Sequence, residues 1–298
     1  MTITAGMVKE LREKTGVGMM ECKKALEENA GDLEKAILWL RERGLSRAAK
    51  KADRVAAEGI VQVAISPDAH TGVVVELNCE TDFVSKSEDF IKFAADVANV
   101  ALAQKITDVD ALKSAKLADG ETVEGRLSTL IAKLGENMKV RRLGLLKTGK
   151  GVISGYTHMG GKIGSLVLLE GAEGQEVSDL GKDLAMHAAA AGPRYLKSDE
   201  VEASEIETEK ELGRKKLQEE GKPENMWEKI LVGQVNKFYK EIVFIEQAFV
   251  KDPGQSIKTV VAEKGKGSQL SGFQLFKLGE GIEKKKENFA DEVAAVLR

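Results

Sequence analysis

The sequence is poor in the residues that build metal centres and disulfide frameworks. Its 298 residues include two cysteines and three histidines. Cys22 and Cys79 lie far apart and form no CxxC pair, and no ligand spacing links the histidines, which are His70, His158 and His187. We therefore expect no disulfide framework, no bound metal and no cofactor, and the cysteine usage favours a reducing cytosol.

Long apolar runs and an excess of basic charge are also missing. No apolar run approaches the ~20 residues that span a bilayer, and the N-terminus lacks the apolar stretch of a signal peptide. Lys and Arg number 45 against 48 Asp and Glu, so we expect a cytoplasmic protein without direct nucleic-acid or membrane contacts. A local basic run predicts a solvated helical linker, with a partner surface as the alternative; it comprises Arg47, Lys50, Lys51 and Arg54.

Motifs for catalysis are absent too. The stretch Gly160-Gly161-Lys162-Ile163-Gly164 is rich in glycine, but it lacks the GxxxxGK[ST] pattern and leads into a strand where a phosphate loop needs a helix. No HExxH or GxSxG pattern occurs. We predict no catalytic residue, and hence a protein that is not an enzyme.

The sequence begins with a small helical module. Thr4 predicts the start of one helix, residues 19–29 form a second, and Asp32 predicts the cap of a third, which we expect to end at Gly44. The third helix carries an apolar stripe at helical spacing, formed by Leu33, Ala36, Ile37 and Leu40.

A repeated unit follows. Gly59-Ile60-Val61 and Gly72-Val73-Val74-Val75 begin two strands, and similar residues recur at Gly151 and Gly164, in both cases 92 residues later (151 − 59 and 164 − 72). A helix follows each strand pair, from Phe90 and from Leu180. We place the third strands at Val140–Leu146 and Ile242–Ile245.

The region before the last of these strands predicts a projecting helical hairpin, and a further helix, strand and helix close the chain. The sequence therefore predicts an α+β fold with five parts. They are an N-terminal three-helix module (1–54), a core first half (55–148), a core second half (149–195 and 238–253), the hairpin (196–237) and a C-terminal helical module (254–298).

The connection after the second strand contains an aromatic residue, and the sequence pattern does not decide whether this residue is buried or exposed. In Thr81-Asp82-Phe83-Val84, Phe83 either folds under the loop as a core residue or stands exposed beside Asp82. Connections between strands and helices normally lie at the surface, and an exposed aromatic residue suits a protein interface.

Several segments together resemble the elongation factor Ts family. The most specific are residues 15–26 (TGVGMMECKKAL) and residues 81–84 (TDFV), and further matches are Gly135-Glu136-Asn137, Ala185-Met186-His187-Ala188 and Gly279-Glu280-Gly281-Ile282-Glu283. The resemblance extends over essentially the whole chain. It implies a guanine nucleotide exchange factor for the translational GTPase elongation factor Tu, with a ubiquitin-associated-like N-terminal module and a hairpin that supports a homodimer.

The resemblance also implies the residues that contact the partner. Thr81, Asp82, Phe83 and Val84 would insert beside its nucleotide site and disturb the bound Mg²⁺ and phosphates. Further contacts would come from Met19, Met20, Lys23, Ile163, Gly164, His187 and Val250. Ala248 stands where the family commonly has proline, which predicts a less rigid loop before Val250.

Two other functions are compatible with the pattern of residues. A helical binding module on a scaffold, such as a ubiquitin-like or ribosome-associated adaptor, would bind a partner without accelerating GDP release. An enzyme built on the α+β core would turn over a small substrate.

Overall fold

Three helices form the N-terminal part of the computed structural model, which describes residues 2–283 and, of residues 45 and 47–49, the backbone only. They are α1 (Ala5–Thr15), α2 (Met19–Glu28) and α3 (Leu33–Lys51). The Thr4 hydroxyl accepts from the Met7 N–H (3.3 Å) and the Asp32 carboxylate from the Lys35 N–H (3.1 Å), so both predicted caps are present. Their inward faces share a small apolar core of Val8, Leu11, Val17, Cys22, Ala25, Leu26, Ala36 and Leu40.

The first half of the core is a three-stranded antiparallel sheet covered by helices on its outer face. Its elements are β1 (Glu58–Ile65), β2 (Thr71–Cys79), α4 (Asp82–Ser85), α5 (Glu88–Gln104), α6 (Val109–Ser114), α7 (Val123–Leu134) and β3 (Met138–Lys147). Alternate residues of β2 (Val73, Val75 and Leu77) pack against α5 and α7, because successive strand residues point to opposite faces.

A second antiparallel sheet follows the same plan. Its elements and those inserted between them are β4 (Gly151–His158), β5 (Ile163–Glu170), α8 (Gln175–Ala191), α9 (Ala203–Glu219), α10 (Trp227–Ile242), β6 (Ala248–Phe249), β7 (Asp252–Ser256), α11 (Ile257–Lys264) and β8 (Gln269–Lys277). The strand order is β4-β5-β8, and α8 and α11 cover its outer face. Helices α9 and α10 pack as the predicted hairpin, so the fold is a mixture of helices and antiparallel sheets, as expected of the α+β class.

The third strand of the second sheet is not the one predicted at Ile242–Ile245. Helix α10 ends at Ile242, and a single 3₁₀ turn follows at Phe244–Glu246. Phe244 is fully buried among α8 and α11, so this apolar run contributes to the core without pairing with a neighbouring strand. Short buried runs do not reveal by periodicity whether they are strands. The position is taken by β8, which we had predicted as a strand of the C-terminal module.

The two sheets share an irregularity at equivalent positions. The β2–β3 register shifts between Glu76 and Leu77, and the β5–β8 register shifts between Leu168 and Leu169, again 92 residues later (168 − 76). Gly59 and Gly151 lie at the starts of β1 and β4, as second and first residue respectively, and have positive φ angles of 140° and 147°. This agreement in irregular details supports the predicted relation between the two halves.

The inner faces of the two sheets pack against each other. Val61 and Val74 from the first sheet meet Ile153, Leu166 and Leu168 from the second in a separate apolar core. The molecule is therefore layered as helices, sheet, sheet and helices, which brings the edge of β1 close to the start of β5.

Helix α3 continues past Gly44, where we had predicted its end. Gly44 is buried, and a Cβ there would lie 3.5 Å from the carbonyl oxygen of Ser128 on α7. This is an ordinary contact distance, so the packing of α3 against α7 continues the helix through Gly44 and into the basic run. Lys51 there donates to the Gly135 carbonyl, which ties the end of α3 to the core.

A buried carboxylate ties the chain beyond β8 to the first sheet. Glu76 is fully buried and accepts from Arg141 Nη1 (2.9 Å), Arg142 Nε (2.6 Å) and the Gly279 N–H (2.9 Å). Burial alone would raise the pKa of Glu76, but these hydrogen bonds and one from Asn78 outweigh it and lower the pKa. The predicted final helix from Lys286 lies outside the described residues, and the five domain boundaries remain predictions.

Gly151 supplies a test of the backbone geometry at the start of β4. A Cβ at Gly151 would overlap the carbonyl oxygen of Leu169, and the φ of 147° is one that L-residues rarely adopt. Gly151→Ala should lower the free energy of unfolding by about 3 kcal/mol. Gly149→Ala is the control, because no atom lies within 4 Å of its added Cβ. Urea denaturation showing equal stability for the two variants would contradict this account.

Candidate functional site

A single helical turn stands at the end of β2, which we call the 81–84 turn (Thr81–Val84). The Thr81 hydroxyl caps α4 by accepting from the Val84 N–H (3.4 Å). Ser87 then caps α5 in the same way, with its hydroxyl accepting from the Phe90 N–H (3.4 Å). Two caps in close succession hold this short connection in a defined conformation.

The 81–84 turn places Phe83 outward and Val84 inward. Val84 is buried in the core beneath α5, whereas 83% of Phe83 is exposed. Adjacent helical residues point about 100° apart, so one can anchor the turn while the other faces solvent. The alternative in which Phe83 is a core residue is therefore wrong.

A carboxylate from another loop holds the 81–84 turn. Glu136 Oε2 accepts from the backbone N–H groups of Glu80 (3.1 Å) and Thr81 (2.9 Å), and its Oε1 accepts from the Thr81 hydroxyl (2.6 Å). The sequence analysis had noted Gly135-Glu136-Asn137 only as part of the family resemblance. Glu136 follows the glycine that ends a helix, which was the available sign of a loop residue. The sequence alone does not show that this residue binds the 81–84 turn.

Charged groups surround Asp82. Its carboxylate accepts from Lys86 Nζ at 2.6 Å, one helical turn later. This hydrogen bond and the charge of Lys86 lower the pKa of Asp82, while the opposing charges of Glu58 and Lys162 act in opposite directions. Asp82 is therefore ionised at neutral pH beside the exposed ring of Phe83.

The nearby thiol of Cys79 is unsuited to nucleophilic chemistry. It is buried at the end of β2 and donates to the Thr81 carbonyl (3.1 Å). Burial, assisted by the charges of Glu136 and Glu58, raises its pKa to about 12. The reactive thiolate is scarce at neutral pH, so Cys79 acts as a packing residue.

The N-terminal module presents Met19, Met20 and Lys23 on the outer side of α2. Met19 is 46% exposed and Met20 76% exposed, and Lys23 faces solvent with Glu27 as its ion-pair partner (3.7 Å). The opposite side of α2 is buried within the module. Two thioethers and an ammonium group thus form an exposed, adaptable apolar patch with a positive edge.

Ile163 and Gly164 lie at the start of β5, next to the strand that supports the 81–84 turn. Ile163 is half-buried and Gly164 is buried. Val61 Cγ1 occupies the space that a side chain at Gly164 would need. The turn before β5 is bonded to β1, because the Val61 N–H donates to the Gly161 carbonyl (2.7 Å). Lys162 completes the link through an ion pair with Glu58 (2.6 Å).

His187 is buried and holds the turn that carries Val250. The Val250 N–H donates to its Nδ1 (3.2 Å), so Nε2 carries the proton and donates to Gln247 Oε1 (2.9 Å). Gln247 in turn donates to the Glu241 carbonyl (2.8 Å). Val250 itself is 45% exposed between β6 and β7.

The structure thus connects most of the predicted contact residues through neighbouring elements. The 81–84 turn and the start of β5 flank β1, and Ser165 of β5 donates to the Ala185 carbonyl (2.7 Å), two residues before His187. The sequence analysis missed Met159, which is 71% exposed in the turn before β5. A lone methionine between glycine and histidine carries no pattern that predicts exposure.

Within residues 2–283, no group of three or more His, Cys, Asp or Glu side chains is arranged to hold a metal ion. No helix among the same residues combines the length and apolar character needed to cross a membrane.

The most exposed aromatic side chain in this region, Phe83, stands on a capped turn. An exposed aromatic residue on an ordered backbone is typical of a protein-binding site, and Met20, Met159 and Val250 are further exposed apolar side chains.

Comparisons with known proteins assign the chain to a family. The family model described as "Elongation factor TS" matches residues 80–280. Elongation factor Ts of Clostridium botulinum (strain Eklund 17B / Type B) is 49% identical over 300 residues, which cover 99% of each chain. Elongation factor Ts of Magnetococcus marinus is 46% identical over 304 residues, which cover 100% of each chain. The chain belongs to the elongation factor Ts family.

His187 predicts a loss of stability in acid. Burial lowers its pKa from the ordinary value of 6.5, against the opposing effect of the Gln247 hydrogen bond. The unfolded chain then binds the proton more readily than the folded one. The stability from neutral His187 is present above pH 6.5 and is lost as the pH falls towards the lowered pKa.

Urea denaturation at pH 7.5 and pH 5.5 tests this expectation. Between these values the free energy of unfolding should fall less in His187→Gln than in the wild type, because the titrating group is absent. The exposed His158 is the control, and His158→Gln should keep the wild-type difference. The same fall in all three proteins would show that His187 does not titrate as described.

Proposed function

We propose that this protein is the nucleotide exchange factor of elongation factor Tu and works in the cytoplasm during translation. It binds the GDP-bound GTPase, promotes release of GDP and allows GTP to rebind. The observation that carries this proposal is the exposed Phe83, held on an ordered turn in a chain of the elongation factor Ts family. A side chain so placed suits insertion into a partner.

The proposed mechanism needs no covalent step. A GTPase holds GDP largely through Mg²⁺ and through backbone N–H groups around the phosphates. Insertion of Phe83 and Asp82 beside that site would shift the elements that support Mg²⁺ and so weaken the hold on the phosphates. Coupling between two binding sites is reciprocal, so GDP must weaken the binding of the exchange factor by the same ratio.

The remaining exposed residues fit a supporting role in this mechanism. Met19, Met20 and Lys23 would contact the nucleotide-binding domain, and Val250 would contact another domain of the partner. The Val250 turn lacks the proline common at position 248, but the buried His187 fixes its backbone instead. We propose Ile163, Gly164 and His187 as further contacts; for the buried Gly164 and His187, this requires approach to their backbone or a local opening.

The two alternative functions predict results that differ from those of an exchange factor when the release of GDP is measured. A scaffold-borne binding module would associate with the GTPase and leave GDP release unchanged. An enzyme on the α+β core would consume a small substrate in the absence of any partner. The rate at which fluorescent GDP leaves elongation factor Tu, measured with and without this protein, separates exchange from both alternatives.

Phe83→Ala should slow the stimulated release of GDP and leave the protein folded. Because 83% of the side chain is exposed, the free energy of unfolding should change by no more than about 0.5 kcal/mol. Phe93→Ala is the matched control, since Phe93 is 2% exposed and its loss should cost about 3–5 kcal/mol. Thermal denaturation and stopped-flow release of fluorescent GDP give the two readouts.

Normal release by folded Phe83→Ala would contradict a direct role for the ring. A large fall in its melting temperature would contradict the exposed position. Slow release combined with an unchanged melting temperature is the expected result.

We further propose that the hairpin mediates a homodimer. Helices α9 and α10 pack tightly, with a Cβ at Gly213 lying 2.6 Å from Leu231 Cδ2. Apolar side chains nevertheless remain exposed on the hairpin, among them Leu212 (56%) and Val232 (58%). A second copy of the same hairpin would cover them, since two-fold interfaces pair the same patch on both subunits.

Val232→Asp should convert the dimer into a monomer, because an aspartate in an apolar interface would be buried without a partner. Sedimentation velocity of the wild type and the variant measures the change. Lys237→Gln is the control, because Lys237 is exposed and lies about 140° around the same helix from Val232, and it should sediment as the wild type does. A wild type that stays monomeric at concentrations well above those used for exchange assays would rule out the proposed dimer.

A further inference from the structure

The 81–84 turn is too short to hold its own orientation. Helix α4 has four residues, whereas isolated helices of fewer than about 12 residues are marginal in water. Its direction must therefore be set by contacts from outside. Val84 anchors one side in the core and Ser87 caps the following helix, but the entry to the turn at Glu80 and Thr81 keeps its freedom unless another group binds it.

Glu136 supplies the contacts that remove this freedom. Its carboxylate binds two consecutive backbone N–H groups, of Glu80 and Thr81, and also the Thr81 hydroxyl. That hydroxyl is the cap of α4. Hydrogen bonds to an ionised acceptor are about twice as strong as neutral ones, so one side chain fixes both the entry to the turn and its cap.

The loop that carries Glu136 is itself firmly held. Gly135 ends α7 in the left-handed conformation (φ 82°), and its carbonyl accepts from Lys51. The Asn137 side chain donates to the carbonyls of Arg54 (2.7 Å) and Ala52 (3.3 Å). These residues follow α3, so the loop joins the end of the N-terminal module to the 81–84 turn.

We propose that Glu136 is a positioning residue for exchange. It acts through Phe83 by fixing the direction in which the ring projects, and it makes no contact with the nucleotide. The role rests on the proposed function, because a fixed direction matters only if the ring is inserted into a partner.

Glu136→Ala removes all three hydrogen bonds and is the primary test. Exchange of the Glu80 and Thr81 amide hydrogens should become about tenfold faster, as expected for the loss of a charge-assisted bond. Stimulated release of fluorescent GDP from elongation factor Tu should slow by about tenfold at saturating concentrations of the factor. Glu124→Ala, at the exposed start of α7, is the control and should match the wild type in both measurements.

A conservative replacement and a double variant separate positioning from general structural support. In Glu136→Gln the amide oxygen can accept from both N–H groups while its NH₂ donates to Thr81, so most of the release rate should return. In a Phe83→Ala background, Glu136→Ala should cause no further slowing, because it acts through the missing ring.

Several outcomes would overturn the positioning role. These are wild-type release by Glu136→Ala, undiminished amide protection, or slowing that multiplies with that of Phe83→Ala. If the wild-type protein did not accelerate GDP release at all, the proposed function would fail together with the positioning role. Wild-type acceleration with an unaffected Glu136→Ala would remove the positioning role alone.

Discussion

The close approach of the two sheets sets the position of nearly everything else. It depends on residues without side chains where the inner faces meet, since a Cβ at Gly72 would lie 2.6 Å from Ile153 Cγ2, and one at Gly164 would lie 2.5 Å from Val61 Cγ1. Larger residues would push the layers apart, because a close-packed interior has no space to absorb an added methyl group. The start of β5 can therefore lie against β1, and the turn before β5 can bond to the backbone of that edge strand.

This packing also explains why the exposed residues lie on separate elements yet belong to one framework. Strand β1 contacts α4, which contains most of the 81–84 turn. The Val61 N–H of the same strand donates to the turn before β5. Strand β5 continues the path to α8 through Ser165, and α8 supports the Val250 turn through His187. The turns that carry Phe83 and Val250 therefore each have a buried anchor, Val84 for the first and His187 for the second.

Local features of the fold were predictable from sequence, and features set by distant contacts were not. The caps at Thr4 and Asp32 and the apolar stripe on α3 follow from nearby residues, and the structure contains them. The predicted helix end at Gly44 and the predicted strand at Ile242–Ile245 were wrong, because distant elements decide both. Gly44 packs against α7, and the apolar run at Ile242–Ile245 contributes to the core under α8. The same limit applies to the site: TDFV identified the turn, but Glu136 and the burial of His187 depend on tertiary packing.

Rigidity before binding matters for the proposed function, in which this protein changes the conformation of its partner. A ligand can shift a partner's conformation only by its difference in affinity for the two states. If Phe83 had to be ordered on contact, part of the binding free energy would offset that ordering instead of favouring the displaced state. The caps at Thr81 and Ser87, the anchor at Val84 and the Glu136 carboxylate impose this order when the chain folds. In the proposed mechanism, more of the binding free energy of the other surface residues then remains to stabilise the partner conformation that has lost its hold on the nucleotide.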